Sequence, residues 1–141
     1  KGIVLRDQWK QGAKSYLGLG VSNFPNLFTI TGPGSPSVLS NMMPSIEQHV
    51  NWIADCISWM IDNDKSVIES SIAAEEEWMS LVNEIAGMTI FKSTESWYNG
   101  SNIDSKAKAF LPFIGVPMYT EKLDEITENN YQGFIFDVSN K

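Results

Sequence analysis

The 141-residue sequence predicts an α/β fold of a few strands, two long helices and a long loop. Three observations carry that prediction. Short apolar runs bounded by Gly, Pro and Asn stand near both ends, the middle repeats apolar residues at helical spacing, and the polar stretch after it follows neither period. Residues 1–31 read as a small β unit, with Ile3-Val4-Leu5, Tyr16-Leu17-Gly18-Leu19 and Asn26-Leu27-Phe28-Thr29-Ile30-Thr31 separated by turns. The last run is apolar on both parities, the pattern of a strand covered on both faces of a sheet. Gly32-Pro33-Gly34-Ser35-Pro36-Ser37 ends it and opens a loop over 32–45, because two glycines and two prolines extend neither strand nor helix.

Residues 46–88 predict two helices. In the first, Ile46, Val50, Ile53, Ile57, Met60 and Ile61 recur on one face to about Asn63. Pro44 suits its first turn and Ser45 with Gln48 has capping-box spacing, while Ser37 or Ser40 offers an earlier start. Ser66 with Glu69 opens the second, Ile68, Ile72, Met79, Val82 and Ala86 mark its buried stripe to about Met88, and Glu75-Glu76-Glu77 reads as its solvated face. Over 91–109 the periodicity fails, and a polar loop carries Trp97 and Tyr98. Residues 110–141 read as a further α/β segment: an apolar run Phe110–Gly115, a short helix Tyr119–Asn129 and a strand Tyr131–Phe136. No repeat, low-complexity tract or charged linker divides the chain.

A hydrophobic content of 43% with 19% charged residues is that of a packed domain rather than a disordered one. Ten Lys+Arg against seventeen Asp+Glu give a formal charge of −7, the wrong sign for neutralising phosphates, so nucleic acid is excluded as a partner. One cysteine, Cys56, and one histidine, His49, make neither an intramolecular disulfide nor a Cys/His metal site, and they fit a reducing, cytoplasmic setting. No apolar run approaches the ~20 residues of a membrane helix, so no membrane partner is expected. The chain begins Lys1-Gly2 rather than with Met, so a larger parent is considered.

The strand, glycine-rich loop and helix from Leu27 to Ile61 form the one local arrangement with chemistry behind it. A helix N-terminus offers free N–H groups and a positive dipole end, and glycines let backbone approach a ligand closely. The same pattern also reads as a rigid connection. No Gly-x-Gly-x-x-Gly and no phosphate loop occurs, so a complete nucleotide site is absent. His49 reads as a hydrogen-bonded packing residue rather than a catalyst, and Cys56 as a small buried hydrophobe. Met42, Met43, Trp52, Trp59 and Trp78 read as core or interface, with the methionines also able to line a planar ligand. Trp97-Tyr98, in a polar loop, reads equally as packing or as recognition of a ring or ribose.

Phe24-Pro25-Asn26-Leu27-Phe28-Thr29-Ile30-Thr31-Gly32-Pro33-Gly34-Ser35-Pro36-Ser37-Val38-Leu39-Ser40-Asn41-Met42, continuing through Ser45-Ile46-Glu47-Gln48-His49-Val50, resembles the C-terminal part of Baeyer–Villiger flavin monooxygenases of the cyclohexanone and phenylacetone monooxygenase type. The likeness continues in order through Trp97-Tyr98-Asn99-Gly100-Ser101-Asn102, Phe110–Gly115, Asp124-Glu125 and Tyr131-Gln132-Gly133-Phe134. It implies the C-terminal segment of a glutathione-reductase-like FAD-binding domain, in an enzyme that uses FAD, NADPH and O2 to turn ketones into esters or lactones through a flavin C4a-peroxide. The family's Gly-x-Gly-x-x-Gly motifs, its fingerprint and its catalytic arginine have no counterpart here, and Arg6, the only arginine, lies outside any matching motif. The segment alone is therefore expected to be inactive, with no catalytic residue of its own.

Carried over by position, Gly32, Asn41 and Met42 resemble the residues beside the flavin, and Ser37, Val38 and Leu39 the bulge bordering the ketone pocket. Trp97 and Asn102 resemble residues of a mobile loop that folds over NADP. The sequence departs from the family at Asp104-Ser105-Lys106, where Pro-Gly-Lys is usual, and at Val116-Pro117 after Gly115. Two rival readings stand beside this one: a related flavin monooxygenase that oxidises sulfur or nitrogen, and a stand-alone binding domain without catalysis. The isolated piece is expected to self-associate through apolar faces that a larger parent covers.

Overall fold

The computed structural model describes residues 2–36, 41–88, 113 and 115–138. Among them, helix α1 (Leu5–Gln8) and a 3-10 turn (Trp9–Gln11) precede a long wrap of turns, followed by α2 (Met42–Asp62), β1 (Lys65–Ser70), α3 (Ile72–Gly87), α4 (Val116–Glu128) and β2 (Phe134–Val138). β1 and β2 form a two-stranded antiparallel sheet in which Ile68 faces Phe136 and Ser70 faces Phe134, with a bulge between Lys65 and Val67. No described helix is long and apolar enough to cross a membrane.

The N-terminal β unit expected over 1–31 does not form. Leu5 belongs to a helix, and the segment after it makes only isolated bridges, Tyr16 with Gly20 and Gly20 with Phe28. The run Leu27–Thr31 is interrupted because Asn26 and Thr31 take φ of 57° and 51°, which bends the chain at both of its ends. Neither face of it is fully covered, and Leu27 and Ile30 lie at the surface of the described chain. Asn26 instead mimics a strand neighbour of β1: its N–H donates to the Ile68 carbonyl at 2.8 Å, and its Oδ1 accepts the Ile68 N–H at 3.0 Å.

The second helix begins later than Ser66. Lys65–Ser70 is a strand, and the N-cap is Ser71, whose Oγ accepts the Ala74 N–H at 3.1 Å. Ser66 with Glu69 has the spacing of a capping box, yet pairing with β2 near the far end of the chain overrides that local preference. Glu75 corrects a second expectation. It is buried on the inner face of α3, where its two carboxylate oxygens accept the Ser22 N–H at 2.8 Å and the Ser22 hydroxyl at 2.9 Å. Its place in the first turn of α3 also sets its charge at the favourable end of the helix dipole.

The helices otherwise follow their apolar periodicity, with one rotation. α2 buries Ser45, His49, Trp52, Cys56 and Met60, whereas Val50, Ile57 and Ile61 of the expected stripe stay at the surface, Ile61 at 71% exposure. α3 buries Trp78, Met79, Val82 and Ala86, and α4 buries Tyr119, Leu123 and Ile126. The core lies between these faces and the Tyr16–Val21 turn. At the sheet end, Trp52, Trp59, Tyr131, Phe134 and Phe136 join in tilted and edge-on contacts with ring centroids 5.1–6.4 Å apart. Gly133 (φ 90°) lies against the Tyr16 ring, where a side-chain carbon would come within 2.6 Å of it.

Candidate functional site

The loop from Gly32 to Pro36 is built into the protein from below. The Gly32 N–H donates to the Gly18 carbonyl at 3.1 Å, and a Cβ on Gly32 would fall 2.7 Å from that same oxygen. Gly34, at φ 81°, sits against the Trp78 indole, whose Nε1–H donates to the Gly34 carbonyl at 2.9 Å. The Ser15 hydroxyl donates to the Pro33 carbonyl at 2.5 Å. Phe113 completes the underside: its N–H donates to the Ser35 carbonyl at 2.9 Å, and its ring stacks on Trp78 at 5.0 Å. The two glycines are therefore needed for close approach by the chain itself, which makes this loop a stiff connection.

The loop leads to the N-terminus of α2. Asn41 is the N-cap and its Oδ1 accepts the Met43 N–H at 3.1 Å, so the helix starts ahead of the Ser45–Gln48 pair, with Pro44 in its first turn. Asn41 is exposed and Met42 half-buried, so both lie at the rim rather than in the core; Met43 is exposed. No acidic side chain stands in the first turn of α2, which leaves its positive end uncancelled. Beside it lies an open groove of about 430 Å³ bounded by Asn41, Pro44, Ser45, Gln48, Val116 and Thr120. The Gln48 amide donates to the Thr120 hydroxyl at 3.0 Å and ties α2 to α4 across the floor of this corner. Val116 and Thr120 carry no local signal of such a role, since only the packing of α4 on α2 brings them there.

A larger cavity of about 510 Å³ opens between α3 and α4, and among the described residues Glu77, Glu84 and Glu125 face it against Lys122 alone. Lys122 already pairs with Glu125 at 2.9 Å. That balance disfavours a phosphate-bearing ligand. Among the described residues no cluster of three His, Cys, Asp or Glu side chains is placed to hold a metal ion.

Behind the loop, His49 is wholly buried and hydrogen-bonded at both ring nitrogens, as its reading as a packing residue expects. The Thr31 N–H donates to His49 Nδ1 at 3.0 Å, which makes Nδ1 an acceptor and puts the proton on Nε2. Nε2–H then donates to the Tyr119 hydroxyl oxygen at 2.6 Å, and the Tyr119 O–H donates to the Leu17 carbonyl at 2.7 Å. Each group in this relay has one compatible role. Burial lowers the His49 pKa from 6.5 to about 4 and raises that of Tyr119, so both are neutral near pH 7. Cys56 is also fully buried and is pushed up to about 12 by burial, an inert thiol.

Of the expected flavin-side residues, Asn41 caps α2 and lines the open groove beside it and Met42 follows it as the first residue of the helix, whereas Gly32 packs against Thr29 and Gly18, with its Cβ space filled by protein. Ser37, Val38, Leu39, Trp97 and Asn102 lie outside the described residues. Sequence reasoning missed Thr31 and Tyr119 as partners of His49, and Leu17 as the acceptor of the Tyr119 hydroxyl, because none is close to its partner in the chain.

No protein-family model matches the chain. A phenazine N-monooxygenase of Lysobacter antibioticus is 40% identical over 95% of the chain, which covers 25% of that relative. A Baeyer–Villiger monooxygenase of Pseudooceanicola batsensis is 38% identical over 96% of the chain, again 25% of the relative. The crystal structure of cyclohexanone monooxygenase from Rhodococcus sp. Phi1, bound to NADP+, superposes with a TM-score of 0.92 at 34% identity over 98% of the chain and 26% of the enzyme. The chain is homologous to a segment of the Baeyer–Villiger monooxygenases. It spans about a quarter of the length of these Baeyer–Villiger relatives, and its small arrangement of helices around a two-stranded sheet is the fold of that quarter.

Proposed function

We propose that the chain is the C-terminal segment of the FAD-binding domain, of glutathione-reductase type, in a Baeyer–Villiger monooxygenase that oxidises ketones to esters or lactones with NADPH and O2. The observation that carries this reading is the superposition, over nearly the whole chain, on a cyclohexanone monooxygenase that holds NADP+. A further relative, OTEMO, is a complex with FAD and NADP. The flavin, when bound, supplies the redox chemistry between NADPH, O2 and substrate.

The residues present fit such a group. Asn41 borders the groove where the α2 N-terminus, free of acidic residues in its first turn, favours an electron-rich or anionic ring edge, and by the resemblance Gly32 and Met42 stand beside the flavin with it. By the resemblance, Ser37, Val38 and Leu39 border the ketone pocket, and Trp97 and Asn102 contact NADP. The chain alone carries no catalytic residue and is inactive in this reading. The test is to express the full polypeptide that bears this sequence, measure its FAD content, and follow NADPH oxidation on adding cyclic ketones with chromatography of the products. Tight FAD and a lactone support the reading, and a purified full chain without flavin affinity overturns it.

A second reading has its own observation, the 40% identity to a phenazine N-monooxygenase. Under it the same corner serves N-oxidation. Offering the enzyme a cyclic ketone and a nitrogen heteroaromatic in competition, with products identified by mass, separates the two.

A further inference from the structure

The relay behind the loop joins two non-glycine residues in left-handed backbone, Thr31 at φ 51° and Leu17 at φ 62°. A β-branched residue there is a conformational outlier and persists only where its surroundings over-determine it. The contacts that do so are polar, and they run from part-buried at Thr31 to fully buried at Tyr119. The Thr31 N–H ends on His49 Nδ1, the Leu17 carbonyl takes the Tyr119 hydroxyl, and between them the Gly18 carbonyl accepts the Gly32 N–H and the Thr29 hydroxyl at 3.1 and 2.8 Å. A buried imidazole and phenol that served only to fill space would pay desolvation that an apolar pair avoids. Here each ring atom able to hydrogen-bond does so, and the result is a fixed entry into Gly32.

We propose that His49, held in one tautomer between Thr31 and Tyr119, is a positioning residue that locks Thr31 in the left-handed conformation and thereby sets the Gly32–Pro36 loop and the start of α2 at the flavin. The second half of this statement rests on the flavoenzyme reading above. Both nitrogens are engaged inside the protein, so His49 acts through the loop.

The experiment uses the full polypeptide and two amides that each replace one nitrogen. His49→Asn keeps an acceptor near the Nδ1 position, facing Thr31, whereas His49→Gln keeps a donor near the Nε2 position, facing Tyr119. FAD dissociation constants, the visible spectrum of bound flavin and hydrogen exchange at the Thr31 amide are measured for both. His49→Gln is expected to weaken FAD at least fivefold, shift the flavin spectrum and speed Thr31 exchange at least tenfold, while His49→Asn stays within twofold on FAD. Adding Thr31→Gly to His49→Gln removes the left-handed cost and is expected to restore FAD affinity to within twofold of Thr31→Gly alone. Equal effects of Asn and Gln, or no rescue by Thr31→Gly, overturn the proposal. Should His49→Gln fail to fold, Tyr119→Phe is compared with and without Thr31→Gly, and an unchanged FAD penalty overturns it. If the unmodified protein binds no FAD, the flavoenzyme reading fails; the locking of Thr31 is then decided by exchange alone, and equal rates in the two variants overturn it.

Discussion

The sheet end and the relay behind the loop both pack against the core, but they are held in opposite ways. At the sheet end Trp52, Trp59, Tyr131, Phe134 and Phe136 meet over broad faces, with centroids 5.1–6.4 Å apart, and no single atom decides the arrangement. At the loop corner four residues depend on single hydrogen bonds in a fixed order, with strained backbone at each end. Dispersion and apolar burial are summed over many contacts and tolerate a change of shape, whereas a buried polar relay loses its function with one atom.

The largest effect comes from emptying the aromatic end. Trp52→Ala is expected to cost about 3–5 kcal/mol in chemical denaturation, from lost burial, a cavity and the loss of the bond from Trp52 Nε1 to Thr127 Oγ1. Trp52→Phe, which keeps a ring there, should recover most of it; equal costs for the two would show that the indole bond, not the packing, holds this end.

The second prediction concerns acid. His49 has its pKa lowered from 6.5 to about 4 in the folded chain, so the unfolded chain binds the extra proton first. Its contribution is complete above about pH 6.5 and is lost as pH falls from there toward 4, amounting to ~3 kcal/mol. A titration of stability with pH, repeated on His49→Asn, checks this; a slope in that window that is the same in both proteins refutes it.

Tyr119→Phe removes a single oxygen and leaves His49 Nε2–H and the Leu17 carbonyl buried without their partner. A loss of roughly 1–3 kcal/mol in thermal unfolding is expected. A cost that small from one atom, set beside the whole-ring deletion at Trp52, expresses the contrast between the two ends. Smallest for folding is Ile61→Ser on the exposed side of α2, expected within ~0.5 kcal/mol. Its effect should lie in association: the isolated 141-residue chain is expected to self-associate in sedimentation, less so with this change, and a concentration-independent monomer would contradict that expectation.

The helices were legible because α2, α3 and α4 repeat apolar residues at a local period. The orientation of α2 was less so, since it carries two adjacent apolar rows, one through His49, Trp52, Cys56 and Met60 and another through Val50, Ile57 and Ile61. A local period cannot say which row the rest of the chain covers. Ser66–Ser70 was misread for a related reason: a capping-box spacing is visible within four residues, while the competing strand partner comes more than sixty residues later. Glu75 looked solvated in a run of three glutamates, and only the approach of Ser22 makes burial of its carboxylate tolerable.

Of the candidate corner, the contiguous likeness through Gly32, Asn41 and Met42 was readable, and so was the loop's stiffness. What the sequence by itself determined is what short-range chemistry determines: helical period, the loop that two glycines and two prolines impose, a charge unsuited to nucleic acid, and kinship to Baeyer–Villiger monooxygenases through runs of neighbouring residues. The tertiary structure decided which apolar row is buried, that residues 65–70 are a strand, and that Thr31, His49, Tyr119 and Leu17 form one relay. Those outcomes depend on contacts between residues far apart in the chain, whose free energy appears only when distant polar groups meet out of water.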